Sequence, residues 1–321
     1  MRNLTRREFI EAGSIATVAA LASPLAMSKA VAYDAQSRKM TIDLVCGAIG
    51  VSADQRQAIE LAVRHGFESV GVDGGFLASL SDDQIAELKD SLKSKHLVFG
   101  GAGLSVDFRR DQLRFQEGLN ELPRVASGLQ RAGLDRISTW LMPCDDKLTY
   151  RQNFQQHVSR LREIAKILKD HNLRFGLEYV GPKTLWASRR YPFIHTMAET
   201  KGLIAEINTG NVGFQLDSWH WWNAGETAAN IQSLKSSDVI AVDLNDAPAG
   251  IPKEQQADNK RELPCATGVI DLASFLNALN QIGYDGPIRA EPFNQVVNKM
   301  SKDDACAAAA SSLKKAFALL T

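Results

Sequence analysis

Short β-branched runs alternate with longer amphipathic stretches along residues 40–321. This alternation predicts strands separated by helices, and hence a parallel sheet. Eight strands are predicted, at Thr41–Cys46, Ser69–Val72, Leu97–Leu104, Arg136–Leu141, Leu173–Tyr179, Val212–Leu216, Val239–Leu244 and Pro287–Ala290. Helices are predicted near residues 53–66, 82–95, 110–132, 150–171, 192–203, 224–235, 271–282 and 302–320.

The stretch 271–282 illustrates the helical pattern. Its apolar residues recur three and four positions apart, which places them on one face of a helix: Leu272, Phe275, Leu276, Leu279 and Ile282. Asp271 precedes them as an N-cap, and Gly283 follows as a helix stop.

Eight strand–helix pairs within about 280 residues are typical of a single-domain α/β TIM (β/α)8 barrel. A doubly wound open sheet is the alternative, but no GxGxxG motif follows the first strand. The run Gly100–Gly103 lies on the predicted third strand, where small residues allow close packing. In a barrel the carboxyl ends of the strands form the active face, so polar residues at those ends are candidate site residues.

Acidic residues end or interrupt the last four predicted strands. They are Glu178, Asp217, Asp243 and Glu291. Four carboxylates meeting at one small mouth repel one another unless a cation neutralises them. Carboxylates, with one imidazole at most, suit a hard or borderline divalent ion such as Mn²⁺ or Mg²⁺. The other interpretation is that these acids are strand-end caps, solvated or paired with arginines.

Four strings along the chain resemble the sugar phosphate isomerase/epimerase superfamily, whose members are xylose isomerase-like TIM barrels. The strings are GLEYVGPKT from Gly176, LDSWHWW from Leu216, DLNDAPAG from Asp243 and RAEPFN from Arg289. They occur in the family's order and spacing, and the resemblance covers essentially all of residues 40–321. It is specific for the superfamily and weak for the substrate.

The resemblance implies one divalent metal ion, held by Glu178, Asp217, Asp243 and Glu291. Asp243 is a departure, because the family usually has histidine at that position. Aspartate still binds divalent ions, so the resemblance implies manganese or magnesium first, with Co²⁺, Ca²⁺ or Zn²⁺ as alternatives. A second interpretation is that Asp243 falls short of the metal and that water fills the gap.

The resemblance also implies a metal-dependent carbohydrate isomerase or epimerase. In that chemistry a proton next to a carbonyl is removed to give an enediolate, with Glu178 and Glu291 as catalytic bases and acids on opposite faces of a sugar. Residues expected to bind the substrate are His220, Arg261, Asp258, Lys183 and Trp219.

Alternative functions use the same residues. A lyase or hydrolase acting on a keto-sugar or 3-keto-glycoside needs the same proton abstraction. A catalytically inactive, exported sugar-binding protein needs no base on each face, which disfavours it here. An apurinic-site endonuclease shares the fold but needs extra histidines after the second and third strands, and none is present there.

Residues 1–32 resemble a bacterial twin-arginine signal peptide, and 33–39 a short linker before the barrel. Arg6 and Arg7 precede a mildly apolar stretch that ends in Ala30-Val31-Ala32, which is a small-x-small cleavage pattern. That stretch is too short and too polar for a membrane helix. We therefore expect the Tat (twin-arginine) export machinery as a partner and a periplasmic or exported location.

Charge and cysteine content narrow the partners further. The chain has 37 basic and 37 acidic residues, so broad binding to nucleic acid or anionic membranes is not expected. The four cysteines show no CxxC spacing, which argues against a zinc ribbon or a disulfide framework. The sequence leaves open whether the chain forms a homo-oligomer.

Overall fold

Eight parallel strands close into a barrel in a computed structural model that describes residues 38–321. The strands are Thr41–Leu44, Ser69–Val72, Val98–Gly103, Arg136–Trp140, Arg174–Glu178, Val212–Asp217, Val239–Leu244 and Pro287–Ala290. They are called the first to eighth barrel strands below, and the first strand pairs with the eighth. The predicted α/β TIM barrel is confirmed. The export signal predicted over residues 1–32 lies outside the described residues.

Helices surround this sheet, and the longer ones bury apolar faces on it. They are Gln55–His65, Gly74–Ser79, Asp82–Ser94, Gln112–Arg131, Tyr150–Asp170, Lys183–Trp186, Met197–Ile207, Ser218–Asn223, Ala228–Gln232, Leu272–Gln281 and Lys302–Phe317. Within residues 38–321, no helix is both long and apolar enough to cross a membrane.

Polar caps determine where the longer helices begin. Asp54, Ser81 and Thr149 each accept a hydrogen bond from a backbone N–H of the first turn, and the glutamine at the third helical position bonds back to the capping residue. These capping boxes satisfy N–H groups that the first turn leaves without partners. The starts predicted near residues 53, 82 and 150 agree with them to within two residues.

Two predicted helices differ from the structure, and local chemistry explains both differences. The helix predicted near 192–203 spans Met197–Ile207, because Thr196 caps it and Tyr191–Pro192 pairs with Cys144–Asp145 in a small antiparallel ribbon. The helix predicted near 224–235 is divided in two. Asp217 caps a short helix at Ser218–Asn223, and Gly225, at a φ of 72°, separates it from Ala228–Gln232.

The strand register places four charged residues at one level of the barrel. Asp43 is opposite Arg289, Arg289 is opposite Asp243, and Asp243 is opposite Asp217. Gly100 provides space for this level, since a Cβ atom there would lie 2.4 Å from Oδ1 of Asp43. Gly100, in the glycine run on the third strand, therefore serves close packing, as its position predicted.

Candidate active site

Four acidic side chains converge at the carboxyl-end mouth of the barrel. Glu178 and Asp217 end the fifth and sixth strands. Asp243 lies in the seventh strand, and Glu291 directly follows the eighth. One carboxylate oxygen from each lies within 4.8 Å of the others. The structure thus brings together the acids that the strand ends single out, and these four residues are called the acid centre below.

Arg261 enters the acid centre from the loop after the seventh strand. Its Nη1 donates to Oδ2 of Asp217 at 2.8 Å and to Oε2 of Glu291 at 3.2 Å, and its Nη2 donates to Oδ1 of Asp258 at 2.8 Å. The side chain of Arg261 is almost fully buried. Burial lowers the pKa of Arg261, but the surrounding carboxylates outweigh this effect and raise it, so the guanidinium is a permanent positive charge.

Arg289 provides a second cation, which is only partly buried. Its Nε and Nη2 both donate to the carboxylate of Asp243, Nη2 at 3.1 Å. Nε2 of Gln215 donates to the same carboxylate at 2.5 Å. Nη2 of Arg289 also lies 3.7 Å from Oε1 of Glu291. Asp243 is therefore fixed in position by its neighbours on the sixth and eighth strands.

Glu178 differs from the two aspartates in its hydrogen bonds. Asp217 accepts from the backbone N–H groups of Trp219 and His220, and from Nδ2 of Asn245 at 2.9 Å. By contrast, Oε1 of Glu178 is buried and has no hydrogen-bond partner among residues 38–321. The aspartates are thus anchored, whereas Glu178 keeps an oxygen available to a ligand or a proton.

Burial and crowding govern the ionisation of the glutamates. Burial first, and then the neighbouring carboxylates, raise the pKa of Glu178 well above its usual range. Burial and Asp243 raise the pKa of Glu291 to about 8, against the opposing effects of Arg289 and Arg261. Two arginines against four acids leave a surplus of two negative charges when all four are ionised. Protons or a divalent cation can neutralise that surplus.

His220 lies against the acid centre in its neutral form. Burial, and then the charge of Arg261, lower the pKa of His220 to about 3. The backbone N–H of Gly181 lies 3.3 Å from Nδ1, and Nη2 of Arg261, which can only donate, lies 3.2 Å from Nε2. That atom lies 4.0 Å from Oε1 of Glu178 and 3.9 Å from Oδ1 of Asp258. Glu178, Asp217 and His220 also form a second set of ligand atoms within 4.8 Å of one another.

The residues expected to bind substrate occupy different positions. His220, Arg261 and Asp258 contact one another beside the acid centre. Trp219 is fully buried, with its ring 5.8 Å from the Arg261 guanidinium, and Lys183 is exposed on the short helix Lys183–Trp186. The substrate contacts predicted for all five residues stay predictions.

Sequence reasoning missed four residues that complete the centre, namely Asp43, Gln215, Asn245 and Arg289. Each lies on or next to a barrel strand, and its part in the site depends on which residues of the neighbouring strand lie opposite. The available signal was polarity, because Asp43, Gln215 and Arg289 interrupt otherwise apolar strands. Burial raises the pKa of Asp43 to about 6, and its Oδ1 has no partner within the described part of the chain.

Comparison with known proteins agrees with this architecture. The model of the xylose isomerase-like TIM barrel family matches residues 59–316. The chain belongs to this family. Among its relatives, the inosose isomerase of Bacillus velezensis is 22% identical over 262 residues, covering 79% of this chain and 88% of the relative. The D-psicose 3-epimerase of Ruminiclostridium cellulolyticum is 24% identical over 252 residues, covering 75% and 79%.

A solved structure shares the same barrel. The crystal structure of the IOLI protein with a bound zinc atom superposes with a TM-score of 0.70 at 20% identity, covering 88% of this chain and 99% of that protein. The family, with its isomerase and epimerase relatives, identifies this xylose isomerase-like chain as a sugar isomerase/epimerase-like enzyme.

Proposed function

We propose that this chain is a metal-dependent carbohydrate isomerase or epimerase that abstracts a proton next to a carbonyl. The observation that carries the proposal is the approach of four carboxylate oxygens to within 4.8 Å of one another. Such a group of acids, with two arginines as its only close cations among the described residues, has the charge that a divalent ion would balance.

The residues present fit a divalent ion. The donor set is made of hard oxygens, and Oε1 of Glu178 is buried without another partner in residues 38–321. Hydrogen bonds to Asp217 and Asp243 orient them in the way that metal-binding carboxylates are commonly supported. Glu178, Asp217, Asp243 and Glu291 would hold the ion, with manganese or magnesium favoured. When bound, the ion supplies positive charge next to the oxygen on which negative charge develops.

Glu178 and Glu291 are proposed to move the proton. They reach the centre from the fifth and eighth strands, with the sixth and seventh strands between them, so a sugar between them meets one carboxyl on each side. A carboxylate takes the proton from carbon, the electron pair moves to the carbonyl oxygen as an enediolate, and the other carboxyl returns a proton. The raised pKa of Glu291, about 8, suits proton transfer near neutral pH.

Exchange with solvent and metal content test this proposal together. The protein is reconstituted with Mn²⁺, its bound metal is measured, and unphosphorylated ketoses and keto-glycosides are incubated with it in D₂O. We expect one divalent ion per chain and deuterium incorporation beside the carbonyl. Glu178→Gln and Glu291→Gln should lose the ion and slow exchange by about 10²–10⁴-fold.

Glu226→Gln is the matched control for those variants. Glu226 is a half-buried acid that bonds to Tyr179 and to the backbone of Met197 instead of the acid centre. The control should keep both the ion and the exchange. A wild-type protein that takes up no divalent ion and exchanges no proton would overturn the proposal and favour a binding protein.

We also propose that the enzyme is exported through the twin-arginine pathway. Arg6 and Arg7 before a weakly apolar stretch support this proposal. Replacing both with lysine should retain the protein in the cytoplasm of a bacterium that has this pathway, as measured by cell fractionation. Arg2→Lys is the matched control and should leave export unchanged. Equal export of the double variant and the wild type would contradict the proposal.

A further inference from the structure

A cavity of about 360 Å³ opens beside the acid centre, at the ends of the third and fourth strands. Its walls include Phe108, Arg109, Trp140, Asp145, His157 and Arg189. This space is called the side cavity below. This volume lies at the lower end of the range of about 300–1,000 Å³ for small-molecule sites. The space therefore suits one sugar-sized ring.

Trp140 forms an aromatic wall of the side cavity. Trp140 is 42% exposed, although it ends a strand whose other residues are buried. The guanidinium of Arg109 lies over the ring at 4.2 Å and over the ring of Phe108 at 4.4 Å. Nη2 of Arg109 also donates to Oγ1 of Thr139 at 2.8 Å. The indole is thus held in place by a stacked cation, which leaves part of its surface for a ligand.

His157 adds an unused hydrogen-bond acceptor to the same cavity. It is only 6% exposed, and its Nδ1 lies 2.9 Å from the backbone oxygen of Asn153, which can only accept. Nδ1 therefore carries the proton, and Nε2 is a bare acceptor. Nε2 is buried and has no partner in the described part of the chain. Burial lowers the pKa of His157 to about 4, so the ring is neutral at pH 7. A ligand hydroxyl can donate to this atom.

The charges around the side cavity are mixed. Arg109, Arg110 and Arg189 line it, but so do Asp107 and Asp145. Asp107 lies 3.3 Å from Nε of Arg110, and Asp145 accepts from the backbone of Lys147 and Leu148. A carboxylate would meet these two acids as well as the three arginines, and it has no proton to donate to His157. A neutral ring with hydroxyl groups matches both the donors and the acceptors.

The side cavity is next to the acid centre. Trp140 and Glu178 are partners in the register of the fourth and fifth strands, and adjacent strands are about 4.8 Å apart. We propose that the side cavity binds a second, hydroxyl-bearing sugar ring, so that the substrate is a glycoside whose carbonyl-bearing ring lies at the acid centre. This inference rests on the proposed function, because it takes the acid centre as the place of reaction.

Sugar binding, measured without turnover, tests the inference. The Mn²⁺-loaded protein is titrated by calorimetry with cellobiose, with maltose and with glucose. At least one disaccharide should bind about tenfold more tightly than glucose, and Trp140→Ala should remove this difference. Tyr150→Ala is the matched control, because Tyr150 is also 42% exposed but lies on an outer helix. Equal affinity for glucose and both disaccharides, no binding of any of them, or an unchanged preference in Trp140→Ala would overturn the inference.

Two further variants separate this inference from the proposed function. Glu178→Gln should keep the disaccharide preference after it has lost solvent exchange. If the wild type exchanges protons but shows no preference that depends on Trp140, only the side-cavity inference fails. If Trp140→Ala does not fold, Trp140→Phe replaces it, and the smaller aromatic face should retain part of the preference.

Discussion

The two halves of the barrel mouth use opposite means to hold polar groups out of water. At the acid centre, on strands five to eight, buried charges are compensated by other charges, and Arg261 and Arg289 contact all the acids except Glu178. At the side cavity, on strands three and four, His157 is neutral and Arg109 is stacked on aromatic rings. Under the proposed function, one half stabilises changing charge and the other recognises shape and hydroxyl groups.

The comparison indicates how one barrel divides its tasks. Buried ion pairs are costly to assemble and costly to break singly, so they persist where chemistry requires fixed charge. Aromatic stacking and unpaired hydrogen-bond acceptors contribute little to the electrostatic field, but they distinguish one ligand ring from another. Substitutions should therefore have different signatures in the two halves. The acid centre should respond to loss of charge, and the side cavity to loss of surface and to protonation.

Breaking the ion pair of Arg289 and Asp243 should destabilise the protein more than protonation of His157 does. Arg289→Met leaves Asp243 buried without its bidentate partner and should lower the free energy of unfolding by about 3–5 kcal/mol. Adding Asp243→Asn should recover most of that loss, since the uncompensated charge is then absent. Urea denaturation of the metal-free single and double variants measures the coupling.

A surface pair provides the control for this cycle. Arg124 lies 3.0 Å from Glu121, and both side chains are more than half exposed. Arg124→Met should change the free energy of unfolding by less than about 1 kcal/mol. If Arg289→Met is no more destabilising than Arg124→Met, charge compensation does not distinguish the acid centre from the surface.

Much of the acid centre could be predicted from the sequence because its acids end strands. Glu178, Asp217 and Glu291 follow apolar runs, and a parallel barrel gathers strand ends at one mouth. The roles of Arg289 and Gln215 could not be predicted in this way. Both side chains bond to Asp243 across strands, and their meeting depends on the register of the sixth, seventh and eighth strands. Hydrophobic periodicity predicts strands but does not specify which residues of neighbouring strands are opposite.

The side cavity illustrates a different limit of sequence reasoning. Trp140 lies near the end of the predicted strand Arg136–Leu141, but nothing local indicates that Arg109, some thirty residues earlier, stacks on it. His157 lies within a long amphipathic helix, where a histidine on the buried face is usually a packing residue. Its unpartnered Nε2 becomes apparent only when the surrounding elements are in place.

Acid should destabilise the side cavity through His157, with a somewhat smaller effect than the Arg289 variant. Burial lowers the pKa of this histidine from 6.5 to about 4, so between those values the unfolded chain binds a proton that the folded chain does not. The stability contributed by neutral His157 is complete above pH 6.5 and is lost as the pH falls towards 4, by up to about 3 kcal/mol. His157→Phe removes this proton uptake and should flatten the pH dependence of the free energy of unfolding.

Urea denaturation at several pH values from 8 to 4 measures the difference between the wild type and His157→Phe, in which the contributions of the carboxylates cancel. Parallel curves for the two proteins would mean that His157 is protonated as easily in the folded state as in the unfolded state, and the neutral acceptor assigned to the side cavity would be lost with it.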